Sequence, residues 1–138
     1  MTQIASDKKI LVVEDDKSLR KAIVEKLTFN GFKTTGAVDG EEGMRLCLDW
    51  KPDLVMLDLL LPKMDGINVL KGLRANFGKE LPVIILTNVE PNDKMISDVI
   101  EYQPSYYFVK SDTELDNLVS KIRETLHLNE LQTTGGSS

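Results

Sequence analysis

Polar, reactive residues stand where short apolar runs of this chain stop. Ile10-Leu11-Val12-Val13 is followed by Glu14-Asp15-Asp16, and Leu54-Val55-Met56-Leu57 by Asp58. Val83-Ile84-Ile85-Leu86 stops at Thr87-Asn88, and Tyr106-Tyr107-Phe108-Val109 stops at Lys110. Taken singly, each has an ordinary reading: a solvated acidic loop, a helix cap at Asp58 or Thr87, a surface lysine. Brought to one edge of one sheet they do something else. Two carboxylates about 4 Å apart repel by about 4 kcal/mol at an effective dielectric of about 20. Clustering Asp15, Asp58 and Glu14 therefore requires a cation. All-oxygen ligands with room for water suit Mg²⁺, and no set of thiolates or imidazoles is available for a softer metal. The single histidine, His127, lies far along the last helix, and the single cysteine, Cys47, sits among apolar residues as a small buried hydrophobe.

The elements that must position these residues alternate five times. Strands are expected at Ile10–Val13, more weakly at Phe32–Thr35, and at Leu54–Leu57, Val83–Leu86 and Tyr106–Val109. Three of them are continuously apolar, as strands buried on both faces of a parallel sheet are. Between them run helical stripes. Leu19, Ala22, Ile23 and Leu27 end at Asn30-Gly31. Met44, Cys47 and Leu48 follow a capping pair, Asp39 and Glu42, and stop before Pro52. Asp65 opens the stripe Ile67, Leu70, Leu73, Phe77, which ends at Gly78. Pro91 opens Met95, Ile96, Val99, Ile100, and a capping box of Ser111 and Glu114 opens Leu115, Leu118, Val119, Ile122, Leu126. These stripes read as core faces. Strand and helix joined by short links imply a doubly wound parallel α/β fold with right-handed crossovers. Two strand orders are open, the dinucleotide-binding one and the flavodoxin-like 2-1-3-4-5, and five strands suit the second. In either, chemistry gathers beyond the C-terminal strand ends. The second strand, ending at Gly36, offers none.

Composition narrows the function classes. The 138 residues suffice for one domain, expected over residues 7–128, with a flexible C-terminal tail over 129–138. A net charge of −5 without a basic stripe argues against nucleic-acid binding. No apolar run approaches the ~20 residues that span a bilayer, and no signal-peptide core opens the chain. One free cysteine suits a reducing compartment, so the expected location is cytoplasmic.

The motifs resemble the receiver domain of two-component response regulators over about Lys9 to Leu128. The pieces, in order, are Leu11-Val12-Val13-Glu14-Asp15-Asp16, Pro52 through Asp58, Pro62-Lys63-Met64-Asp65-Gly66, Pro82 through Thr87, and Tyr107-Phe108-Val109-Lys110. The resemblance implies a five-stranded (βα)5 switch in a phosphorelay. Asp58 would accept a phosphoryl group from a histidine kinase or phosphotransfer protein in a Mg²⁺-dependent reaction. Asp15, Asp58 and the backbone carbonyl of Leu60 would hold the metal, with Glu14 binding it through water or assisting. Lys110 would pair with a phosphoryl oxygen, and Thr87 would donate its hydroxyl to the group while Tyr107 changes rotamer. Such a protein is a signalling switch, not an enzyme acting on other substrates. It would control a downstream partner or output domain, as a stand-alone protein or as one domain of a longer chain. A homodimer through the strand-five face is a further expectation, from Tyr102, Tyr106 and Phe108. The chain departs from the family pattern at Asn88, where a small residue is usual. It departs again at Ser111, where proline follows a cis bond, and at Gln103-Pro104, where Gly-Ala is usual. A rival reading is a degenerate receiver, a binding module that signals without phosphate. A hydrolase of the haloacid dehalogenase type would need a second acid where Leu60 stands.

Overall fold

The computed structural model describes residues 7–90 and 96–128. The expected opening of a helix at Pro91 and Met95, and the C-terminal tail over 129–138, lie outside the described residues. Strands β1 (Lys9–Val13), β2 (Lys33–Ala37), β3 (Leu54–Leu57), β4 (Val83–Thr87) and β5 (Tyr106–Val109) alternate with α1 (Lys17–Phe29), α2 (Gly40–Trp50), α3 (Gly66–Phe77), α4 (Ile96–Glu101) and α5 (Leu115–Thr125). All pairings are parallel and the strand order is 2-1-3-4-5, as the flavodoxin-like reading requires.

Side-chain alternation along the strands divides the core into two layers. Leu11, Val13, Val55, Leu57, Val83 and Ile85 face α2, α3 and α4, where Cys47, Leu70, Leu73 and Val99 are fully buried. Ile10, Val12, Leu54, Met56, Ile84 and Leu86 face α1 and α5, meeting Ile23, Leu27, Leu118 and Ile122. Burial pushes the Cys47 thiol up to about 12, as befits a buried small hydrophobe. Among the described residues, no helix is long and apolar enough to cross a membrane.

The helix stops explain where sequence and structure part. After α1, the Phe32 amide donates to the Leu27 carbonyl and the Gly31 amide to that of Thr28, with Gly31 at φ 96°. This is a Schellman turn, and Phe32 closes it by packing beside Leu27. Phe32 is therefore spent on the helix end, and β2 starts one residue later than its apolar signal. The same turn ends α5, where Leu128 donates to Arg123 and His127 to Glu124, with His127 in the left-handed region at φ 59°. Asp16, Asp39 and Asp65 cap α1, α2 and α3 through their side chains. The capping box expected of Ser111 and Glu114 does not form. Lys110–Asp112 is a 3-10 turn that takes up Ser111, and α5 starts after Glu114 without a side-chain cap. Ile100 and Leu48 also leave their expected core stripes. Ile100 is 64% exposed; among the described residues of α4, Ile96 and Val99 are the ones that turn inward. Leu48 lies on the solvent side of α2.

One charged residue organises the sheet's far end. Arg74, on α3, donates to four backbone carbonyls: Tyr102 at 2.7 Å, Leu81 at 2.6 Å, and Gly78 and Gln103 at 3.0 Å. Burial lowers its guanidinium from the usual value, and no carboxylate pairs with it among the described residues. It ties the α4–β5 turn, where Gln103 is left-handed at φ 52°, to the end of α3. Arg74→Ala should lower unfolding free energy by about 2–4 kcal/mol, with Arg74→Lys recovering only part because an ammonium cannot fork; denaturant melts read this directly. His127→Gly should raise stability by about 0.5–1 kcal/mol, since glycine adopts the left-handed turn without the Cβ penalty. A lower melting midpoint for that variant would contradict the assignment.

Candidate functional site

Parallel strands deliver their C-terminal ends to one edge, and four of the five ends carry the site. Asp58 follows β3 and is 3% exposed; its amide donates to the Val13 carbonyl at 3.2 Å, locking it beside β1. Its Oδ1 accepts from the Leu60 amide at 3.1 Å and its Oδ2 from Lys110 Nζ at 2.7 Å. Glu14 follows β1 and is 2% exposed, with its amide donating 3.0 Å to the Ala37 carbonyl of β2. Its carboxylate accepts from the Asp16 amide at 3.0 Å and meets Lys110 Nζ at 2.9 and 3.0 Å. Asp15 points to solvent beside them. Asp16, the third acid of the triplet, turns away: it is the α1 cap, accepting from Leu19 at 2.9 Å.

Lys110 comes from the far side. Among the described residues no peptide bond is cis, so the Lys110–Ser111 bond is trans, and Lys110 reaches Asp58 and Glu14 in that geometry. Burial pulls its ammonium down, but the hydrogen bonds to Asp58 and Glu14 outweigh this and leave it raised. Glu14 is raised by burial, against the lowering effect of Lys110 and of the Asp16 amide. The ammonium lies within 3 Å of both carboxylates, so the pair is held as an ion pair.

One carboxylate oxygen from each of Glu14, Asp15 and Asp58 lies within 4.8 Å of the other two. Ligands of a small octahedral ion with bonds of about 2.1 Å lie roughly 3.0 Å apart when adjacent and roughly 4.2 Å when opposite, so the three side chains would draw together to hold it. Oxygen-only donors, one exposed to water, fit Mg²⁺ rather than zinc or copper. Leu60 is 56% exposed on the loop after Asp58.

Thr87 and Tyr107 converge on Val89, the residue between them in space. Thr87, fully buried, accepts through its hydroxyl from the Val89 amide at 3.4 Å. The Tyr107 hydroxyl donates to the Val89 carbonyl at 2.6 Å. Asn88 is exposed. The aromatics expected to form one face are divided. Tyr106 stacks on Phe108 at 5.4 Å on the α5 side, under Lys121, whereas Tyr102 packs with the α2–α4 layer. Tyr106 and Phe108 are two apart on β5 and so share a side, whereas Tyr102 belongs to the turn after α4.

Sequence reading passed over Arg20. Its Nη1 donates to the carbonyl of Glu14 at 2.8 Å and of Asp15 at 3.4 Å, bracing the acidic loop from α1. The available signal was its position one turn after the Asp16 cap, on the side of the helix that faces the sheet edge.

Residues 10–123 match the family described as response regulator receiver domain. Response regulator MprA of Mycolicibacterium vanbaalenii is 40% identical over 79 residues, which is 57% of this chain and 34% of that protein. MprA of Mycobacterium ulcerans is 29% identical over 124 residues, 90% of this chain and 52% of that one. The chain thus spans about a third to a half of the curated relatives it matches. The Francisella response regulator 1452 receiver domain superposes with a TM-score of 0.77 at 31% identity, covering 86% of this chain and 96% of that one. The BeF3-activated N-terminal receiver domain of Klebsiella pneumoniae RstA gives 0.76 at 29%, covering 89% and 100%. An acidic cluster of Glu14, Asp15 and Asp58 is consistent with a phospho-acceptor site. With that cluster at the strand ends and the family match running through nearly the whole fold, the chain belongs to the response regulator receiver domains of two-component signal transduction, which are not conventional enzymes.

Proposed function

We propose that this chain is a phosphorelay switch whose acceptor is Asp58. The observation that carries the reading is the Lys110 ammonium, 2.7 Å from Asp58 and held in place by Glu14. It prepares a positive site for the oxygens of an incoming phosphoryl group. A carboxylate oxygen of Asp58 attacks phosphorus, the bond from phosphorus to the donor's nitrogen or oxygen breaks with its electron pair going to the donor, and an acyl phosphate results. When bound by Glu14, Asp15, Asp58 and the Leu60 carbonyl, Mg²⁺ supplies further neutralisation of the phosphoryl charge. Lys110 then pairs with a phosphoryl oxygen. The Thr87 hydroxyl turns from the Val89 amide toward the new dianion, and Tyr107, tied to the same residue, follows. The donor is a histidine kinase or phosphotransfer protein, the receiver of the signal a partner or output domain, and the setting cytoplasmic. Pairing of two copies through the Tyr106–Phe108 side of β5 belongs to the same reading.

Acetyl phosphate with Mg²⁺ should add one phosphate by mass to the wild type and none to Asp58→Asn. Asp15→Ala should weaken Mg²⁺ binding by at least about tenfold and slow incorporation. Undiminished labelling of Asp58→Asn would refute the acceptor assignment, and no labelling of the wild type would favour the degenerate, phosphate-independent binding module.

The lifetime of the acyl phosphate follows from what surrounds it. In receivers, the residues two past the acceptor and two past the threonine flank the path of the hydrolytic water. Here they are Leu60 and Val89, and neither side chain can orient water by hydrogen bonding. Val89 is also buried, with its carbonyl taken by Tyr107. The phosphorylated state should therefore persist. Leu60→Asn, at an exposed position, should speed phosphate release, by up to about 10²-fold if positioning of the water is the missing element. Wild-type release within seconds, or no acceleration in Leu60→Asn, would dispose of the water-exclusion argument.

A further inference from the structure

Strand β2 ends without a reactive side chain, yet its end and the junction that follows touch both halves of the acidic site through backbone hydrogen bonds. On one side the Ala37 carbonyl accepts from the Glu14 amide at 3.0 Å, fixing the start of the β1–α1 loop. On the other, the Gly40 amide donates to the Pro62 carbonyl at 3.4 Å, on the β3–α3 loop that carries Leu60. Gly40 is pressed onto that loop. A Cβ built there would overlap the Met64 carbonyl oxygen and lie 2.6 Å from its carbonyl carbon. Both atoms are backbone, so nothing flexible can yield. The junction itself is stiff: Asp39 accepts from the Glu42 amide at 2.8 Å, the Val38 amide donates to Glu42 Oε1 at 2.8 Å, and Asp39 is buried. The loop it braces is held in an unusual form, with Lys63 left-handed at φ 67° and its ammonium 3.8 Å from Asp39.

From this we infer that the β2–α2 junction is a brace that couples the two loops of the acceptor site, with Gly40 as the positioning residue for the β3–α3 loop. The inference rests on the reading of Asp58 as acceptor and Leu60 as part of the metal site. Gly40 touches no reacting atom; it sets where the Leu60 end of the site lies relative to Glu14. A side chain at position 40 pushes the loop away from α2, and the ligand set must then be reassembled at each binding event. A displacement of about 1 Å is enough to slow a positioned reaction on the order of 10²-fold.

Three measurements on the full chain decide the matter. Gly40→Ala should weaken Mg²⁺ binding, read by calorimetry without any phosphodonor, and slow incorporation from acetyl phosphate by at least about tenfold. Ile122→Ala, a truncation in the α1–α5 layer away from the site, serves as a control that lowers stability and should keep both properties. In the wild type, Mg²⁺ should slow hydrogen exchange of the Gly40 amide together with that of Leu60, although Gly40 is no ligand. This last readout survives even if Gly40→Ala fails to fold. Normal Mg²⁺ affinity and incorporation in a folded Gly40→Ala would overturn the inference. So would equal losses in Ile122→Ala, or exchange that slows at Leu60 while Gly40 is unchanged. A wild type that takes up no phosphate yet shows coupled protection of Gly40 and Leu60 would reject the acceptor reading and leave the brace standing.

Discussion

The Lys110 ammonium is the interaction on which the arrangement of this molecule turns. Glu14 and Asp58 are both almost fully buried, and two carboxylates so placed repel unless a cation stands between them. Lys110 meets that need from β5, across β4 from Asp58 and one strand further from Glu14. Strands are spaced by about 4.8 Å, so the backbone of β5 is roughly 10 Å from that of β3. Only a long side chain covers that distance, and the 3-10 turn at Lys110–Asp112 sends it inward instead of letting a helix begin at once. Among the described residues no buried side-chain nitrogen or oxygen lacks a hydrogen-bond partner, so the site is electrostatically complete yet rearrangeable. A cation or a dianion entering it exchanges partners with Lys110 rather than opening a sealed core.

That logic accounts for what could be read from the chain. Continuous apolar runs announced strands buried on both faces, and residues at their ends had to share an edge because every pairing is parallel. Glu14, Asp15, Asp58 and Lys110 were legible for that reason alone, since position at a strand end fixed their place without knowledge of any contact. Helix stops at Asn30-Gly31 and Gly78 were legible because glycine marks a left-handed turn. What remained hidden depended on backbone partners or on solid geometry. The fork of Arg74 to four carbonyls has no side-chain signature, and Arg20 has only its spacing from Asp16. Ser111 and Glu114 had the right spacing for a capping box, but the spacing cannot tell that Lys110 needs the intervening turn. Ile100 continued an apolar period, yet it faces solvent.

The second strand is the instructive failure. Judged by side chains it offers nothing, and the sequence reading dismissed it. Its backbone, through Ala37, holds Glu14, and the junction after it abuts the loop that leaves Asp58. Reactive groups are visible in a sequence because their chemistry is in the side chain; the supports that hold them act through amides and carbonyls that every residue shares. A glycine such as Gly40 is informative only when one asks what a Cβ there would strike.

Under the proposed function, the convergence of Thr87 and Tyr107 on Val89 gives the switch a mechanical form. The Thr87 hydroxyl engages the Val89 amide and the Tyr107 hydroxyl its carbonyl, so the two faces of one residue record the state of both side chains. The contacts are unequal: 3.4 Å for the threonine, at the limit of a useful hydrogen bond, and 2.6 Å for the tyrosine. In the weaker bond the threonine hydroxyl is the acceptor, so a phosphoryl dianion would draw on its O–H, and a charged acceptor attracts a hydroxyl more strongly than a neutral one does. Thr87 can therefore leave at little cost. Val89 then remains tied to Tyr107, and the start of the segment toward α4 is still held by β5. At the other end of α4, Arg74 grips the carbonyls of Tyr102 and Gln103. The C-terminal turn of α4 is thereby fixed to α3 while Val99 stays fully buried in the core, so a movement that begins at Thr87 is passed on through Val89 and Tyr107 with the far end of the helix held.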